Sequence, residues 1–294
     1  MKKDMPLRIT NTLVFALMVT VNVLANALPI GGFNTGQISA MYPTPITPPG
    51  WTFSIWGVIY GLFGIVILRQ LFSRSYSESL KTGPWFLASC LCNIAWIFAW
   101  HTQHMVLAAI AILGLLATLW KLYGLTRKND FVTKAAFGIY YAWITVATAL
   151  MIFAAVKTIT GHAPISPIVP RSAAPEVPAA ANAVSSFLDQ FTGIILVSGT
   201  PAIVSYVTLG EYILAIVFLV ILAAVAAVHT RKYADVTYLA TFVWALAGVI
   251  IRQITSPTPP VVLIAVCALA LIVIIYFIMK SIIKGKENRN ENNR

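Results

Sequence analysis

The amino-acid sequence predicts an all-α membrane protein: a five-helix transmembrane bundle followed by three additional transmembrane helices, eight in total. Three observations predict it. Of the 294 residues, 59% are hydrophobic and only 10% charged, where soluble domains carry about 25% charge. The mean hydropathy is +0.83. The apolar residues also fall into eight runs, each near the roughly 20 residues that a spanning helix needs: Thr10–Ile30, Thr52–Leu68, Pro84–Trp100, His104–Leu122, Ala135–Val156, Leu209–Val228, Val236–Ile251 and Pro260–Met279. Helices are expected because lipid offers no partner to an open sheet edge.

The first run follows Lys2 and Lys3 and ends near Ala25-Asn26-Ala27, a pattern shared with cleavable signal peptides. The run is long for a signal, and a retained helix is expected. It carries Asn22 and Asn26, which must find hydrogen bonds if buried. The second run opens with Pro48-Pro49-Gly50-Trp51-Thr52-Phe53-Ser54-Ile55-Trp56 and continues to Tyr60. A stiff double proline leading into an uncharged, aromatic-lined helix is suited to a bilayer interface and to building a face of flat side chains. Gly57, Gly61 and Gly64 put small residues on one side of that helix, and Gly57-x-x-x-Gly61 permits close helix approach. Internal packing is expected there, with a homodimer seam as the alternative.

The third run places Asn93, Trp96 and Trp100 at i, i+3 and i+7; the second places Trp56, Tyr60 and Phe63 at i, i+4 and i+7; the fifth places Tyr140, Trp143, Ala147 and Leu150 in the same manner. Each set lies on one helix face. Three such faces turned inward would line a pocket for a flat hydrophobic ligand. Trp51, Trp85 and Trp100, near helix ends, are expected in the interfacial aromatic belts. His101-x-x-His104 has metal-ligand spacing but no Cys, Asp or Glu beside it, and is read as interfacial; no metal site is expected. Cys90, Cys92 and Cys267 lie within predicted helices and are read as packing residues.

Four regions follow: residues 1–160 with five helices and seven of the eight tryptophans; 161–206, an external Pro/Ala/Ser-rich connection in which Ala181–Val197 would form an interfacial helix; 207–284 with three helices; and a tail over 285–294. Seventeen of the 20 Lys and Arg residues fall at the N-terminus, in alternate connections and in the tail; the other side holds Lys157, Arg171 and Arg252. The positive-inside rule then puts both termini in the cytoplasm of a multi-pass cell-membrane protein. The net charge of +11 is therefore a topology signal, with the lipid bilayer as partner and no nucleic acid.

No acidic or basic residue lies deep in a predicted span, which argues against ion-coupled transport. The spans also lack a carboxylate pair, an activated serine and a cysteine–histidine dyad, so the chain is not expected to be an enzyme.

Residues 12–158 resemble the tryptophan-rich sensory protein family (TspO, also called the peripheral benzodiazepine receptor or translocator protein family). Pro48 and Pro49 match its Trp-x-Pro-Pro loop, Trp51 and Phe53 its following aromatics, and Trp56 and Tyr60 its four-residue Trp-to-Tyr spacing. Asn93 and Trp96 match its Asn-x-x-Trp, and Tyr140, Trp143 and Ala147 its Tyr-x-x-Trp-x-x-x-Ala. The departures are Ile46 for the loop tryptophan, a Phe53-to-Trp56 spacing shorter by one, and Ser89 and Met151 at two polar family positions. The last three helices have no counterpart in a five-helix family, so the chain is similar to a divergent, extended branch. The resemblance implies a membrane sensor or receptor. Its ligand would be a tetrapyrrole such as protoporphyrin, or a sterol-like molecule, with Trp51, Phe53, Trp56, Tyr60, Asn93, Trp96, Tyr140, Trp143 and Ala147 at the site and no other cofactor. The alternative is an uncoupled transporter or accessory subunit for a hydrophobic solute.

Overall fold

The computed structural model describes residues 5–28, 30–72, 79–161, 209–233, 235–255 and 261–292. The external connection, with the helix expected over Ala181–Val197, lies outside the described residues. Nine α-helices occur among the described residues: α1 (Met5–Ala27), α2 (Thr35–Met41), α3 (Ile55–Phe72), α4 (Ser79–His101), α5 (Met105–Thr126), α6 (Phe131–Ile159), α7 (Leu209–Tyr233), α8 (Val236–Ile254) and α9 (Val261–Asn292), with no strand. All but α2 are long and apolar enough to cross a membrane, each matching one expected run. The helix α9 continues well past the expected end of its span at Met279. Its continuation carries Lys280, Lys284, Lys286, Glu287, Arg289 and Glu291, charged residues suited to water rather than to lipid.

Helices α1, α3, α6, α5 and α4 form a closed ring, each packed on the next and α4 returning to α1. Outside it, α8 lies on α6, α9 on α8, and α7 on α9. The position of α6 between ring and extension explains its burial: 61% of its span is buried, against 22% for the outer α7 and α9. The α6–α8 seam is close because Gly138 has no side chain; a Cβ there would stand 3.1 Å from Asp235 Oδ2 and 3.2 Å from Thr237 Oγ1. Asp235 caps α8 by accepting from the amides of Thr237 and Tyr238. It also accepts from the Tyr123 hydroxyl of α5 at 2.7 Å. Tyr123, Tyr141 of α6 and Tyr238 form a triangle of ring contacts, with centroids 5.4–6.0 Å apart.

Two short segments shape the end of the ring at which the candidate site sits. Asn34 and Gln37 form a reciprocal capping box that starts α2. Residues 42–49 then run without helix, almost entirely buried, into a 3-10 turn (Gly50–Ser54) that leads directly into α3. Prolines 43, 45, 48 and 49 supply no N–H and disfavour helix at the residue before each, which explains the irregular backbone.

Candidate functional site

The three aromatic faces turn inward and meet. Trp56 of α3 is the hub. It stacks on Tyr60 (5.5 Å between ring centroids, 27°) and on Trp96 of α4 (5.9 Å, 24°), and meets Tyr140 of α6 edge-on at 5.8 Å. Phe53 meets Trp143 edge-on at 5.8 Å. Phe63, one turn below Tyr60, continues the column to Tyr140 and Phe137. Such pairs contribute about 0.5–1.5 kcal/mol each beyond burial. The rings seal one another: Trp56, Trp96, Tyr140 and Trp143 are all 5% exposed or less. A planar ligand must therefore part these rings to reach them. A separate cavity lined by Asn11, Gln70, Thr82 and Phe137, of about 20 Å³, is water-sized and far too small for such a ligand.

A polar ladder runs beside the rings. Asn93, wholly buried, donates from Nδ2 to the Tyr140 hydroxyl at 2.9 Å. Its Oδ1 accepts from Asn22 Nδ2 at 2.7 Å. Asn26 Nδ2 donates to the Asn22 carbonyl, and Asn26 Oδ1 accepts from the Thr35 amide at 3.0 Å. The Thr35 hydroxyl pairs with His101 Nε2 at 3.1 Å. The expected pairing of Asn22 thus joins α1 to α4, and α1 is built into the ring. Beside this ladder, the Nε1–H groups of Trp96 and Trp143 are buried with no acceptor. An unpartnered buried donor costs about 1–3 kcal/mol. The site therefore holds stacking surface, one satisfied carboxamide–phenol pair and two free indole donors.

The matches with known proteins fit this architecture. The family model described as TSPO-like protein matches residues 8–169 and 200–279. The chain belongs to the TSPO-like protein family. No curated protein and no solved structure matches it. The TSPO-like match spans the ring and also takes in most of α7 to α9, so the outer helices are part of this family's pattern. The internal stretch it omits, residues 170–199, lies within the Pro/Ala/Ser-rich connection.

Of the residues read from this TSPO-like sequence, Phe53, Trp56, Tyr60, Asn93, Trp96, Tyr140 and Trp143 come together. Ala147, half-buried, follows Trp143 by one turn on α6. Trp51 turns instead to α8, meeting Trp244 edge-on at 5.0 Å. Three expectations are corrected. Trp100 is not a belt residue: it is buried beside Tyr42, at 6.4 Å, because the proline segment covers the end of α4. His101 is not interfacial either: it is buried on Thr35, because the chain from Gly31 to Thr35 folds over it. Gly61 and Gly64 do not serve internal packing, since a Cβ at either would meet open space. The reading from sequence missed Thr35, Phe137 and Trp244. The Asn34-x-x-Gln37 box signalled α2 and hence Thr35, and Phe137 lies one turn before Tyr140; Trp244 carried no local signal.

Proposed function

We propose that this TSPO-like protein is a membrane sensor that binds a flat, largely apolar ligand bearing hydrogen-bond acceptors, among the rings of Trp56, Tyr60, Trp96, Tyr140 and Trp143. One observation carries this reading. Two buried indole N–H groups, those of Trp96 and Trp143, lack acceptors inside a cluster of stacked rings. A ligand that slides between the rings exchanges one stacking partner for another. If it also presents a carbonyl or carboxylate, it gives those donors their first acceptor. A tetrapyrrole such as protoporphyrin has both features; a sterol-like molecule has the apolar area with a single polar group. The groups on offer stack and donate hydrogen bonds, so the reading is recognition rather than catalysis. The protein would sit in the cell membrane with both termini in the cytoplasm, a placement that the distribution of Lys and Arg supports.

The test is a titration of protoporphyrin into purified protein in nanodiscs, followed by tryptophan fluorescence and by the porphyrin absorbance band. Saturable quenching with a shifted band is expected in wild type. A Trp96→Phe, Trp143→Phe double variant keeps the apolar rings and removes both donors. It should bind at least tenfold more weakly. Identical saturation curves for the two proteins would remove the proposal.

A further inference from the structure

We infer that the outer helix α8 latches the proline segment 42–54 shut over the aromatic cluster, with Trp244 as the positioning residue. The segment cannot hold itself. Its prolines donate nothing, and beyond short turns its carbonyls must find partners elsewhere. Those partners come from helices remote in sequence. Trp244 Nε1 donates to the Thr52 carbonyl at 3.0 Å. Gln253, also on α8, donates from Nε2 to the Pro45 carbonyl. Lys157, at the end of α6, donates to the Pro43 carbonyl and pairs with Glu211 of α7 at 2.8 Å. The backbone of α8 presses directly on the segment at Gly248, where a Cβ would stand 2.6 Å from Thr52 Oγ1 and 3.4 Å from Pro48 Cβ. The Trp51 ring edge completes the contact on Trp244.

What the latch holds is the mouth of the cluster. One residue after Thr52, Phe53 lies edge-on against Trp143, and three further on Trp56 stacks on Trp96. The walls of the ring are long helices, α1 and α3 to α6. The segment is the irregular stretch beside the rings: Tyr42 anchors one end on Trp100 and Gln103, and from Pro43 to Thr52 its outward hydrogen bonds are the side-chain bonds from α6 and α8. Lifting it breaks those bonds and moves Phe53 off Trp143 without unwinding a helix. Trp244 thus acts on the site through Thr52 and Phe53. The consequence for ligand access rests on the binding reading above; the latch itself does not.

The test uses the full chain in nanodiscs without ligand. Trp244→Phe keeps a ring at the surface and removes the donor. Gly248→Ala pushes on Thr52 by a different route. Amide hydrogen exchange across residues 44–54 should speed up about fivefold in both variants, with exchange across 105–126 unchanged. Unchanged exchange over 44–54 in both variants overturns the latch, as does an equal acceleration everywhere, which would mean general loosening. Where wild type binds protoporphyrin, Trp244→Phe should also raise its association rate several-fold. An unchanged association rate beside faster exchange would show that ligand does not pass the segment. Failure of wild type to bind, with faster exchange in the variants, would defeat the binding proposal and leave the latch standing.

Discussion

Asn22 and Asn93 join α1 to α4 inside the bundle through a 2.7 Å hydrogen bond between their carboxamides. The two ends differ in what else holds them. Asn22 Nδ2 also donates to the Met18 carbonyl of its own helix, whereas Asn93 spends its donor on Tyr140. Removing Asn93 therefore strands the Tyr140 hydroxyl, while removing Asn22 leaves Asn93 one bond.

The first prediction follows. Asn93→Leu should destabilise the protein by about 1–3 kcal/mol, the range for leaving a buried polar group without its partner. Asn22→Ala leaves Asn93 Oδ1 without its donor but keeps the Tyr140 bond, and should cost less, nearer the average of about 0.6 kcal/mol for an interhelical hydrogen bond in a membrane protein. Unfolding in mixed micelles reads both; equal costs would contradict the asymmetry.

A second concerns the α6–α8 seam. Gly138→Ala places a methyl 3.1 Å from a buried carboxylate oxygen of Asp235 and should cost about 1–3 kcal/mol by forcing the helices apart. Asp235→Ala removes the cap of α8 and the acceptor of Tyr123, and should cost about 1–2 kcal/mol from the cap alone. Since both changes act on one contact, the double variant should lose less than the sum. Strict additivity would show that Gly138 and Asp235 do not share a contact.

A third concerns pH. Partial burial of Asp130, in the connection before α6, works against its carboxylate. Hydrogen bonds from the Thr133 hydroxyl and from the Thr133 and Val132 amides, with Arg69 beside it, nonetheless hold its pKa below the ordinary value. The native state therefore favours the charged form. That stabilisation is present at neutral pH and is lost as pH falls below about 4 and through the lowered native value. Melting temperatures of wild type and Asp130→Asn should differ at pH 7, and the gap should narrow as pH falls below about 4. A gap that stays constant or widens on acidification would contradict the assignment. The side chain is half exposed, so the effect will be small.

A fourth concerns topology. In a variant with Cys90, Cys92 and Cys267 replaced, a cysteine at Gly161 should react with an impermeant thiol reagent in intact cells. One at Lys128 or Arg294 should react only after the membrane is opened. Reaction of all three in intact cells would contradict the positive-inside reading.

The spans were legible because eight runs of apolar residues have one physical explanation in a bilayer. The convergence of Trp56, Asn93, Trp96, Tyr140 and Trp143 was legible because 3.6-residue periodicity fixes which residues share a face, though not which face turns inward. Trp100 and His101 misled because position near a helix end says nothing about what folds over that end; here residues 30–49 do. The pairing of Trp244 with Thr52 spans 192 residues and leaves no trace in local pattern. Gly61 and Gly64 show the reverse: a small-residue motif identifies a flat helix face, and only the neighbours decide whether anything lies against it.

The most direct test of the central claim is nitrogen-15 NMR of the tryptophan side chains, with each signal assigned by Trp→Phe substitution. On addition of protoporphyrin the Nε1–H signals of Trp96 and Trp143 should shift downfield and saturate together, because each gains an acceptor. If instead the signals of the exposed Trp85 and Trp120 move, at 40% and 65% exposure, while those of Trp96 and Trp143 stay in place, the ligand lies on the outside of the bundle and the aromatic cluster is a packed core alone.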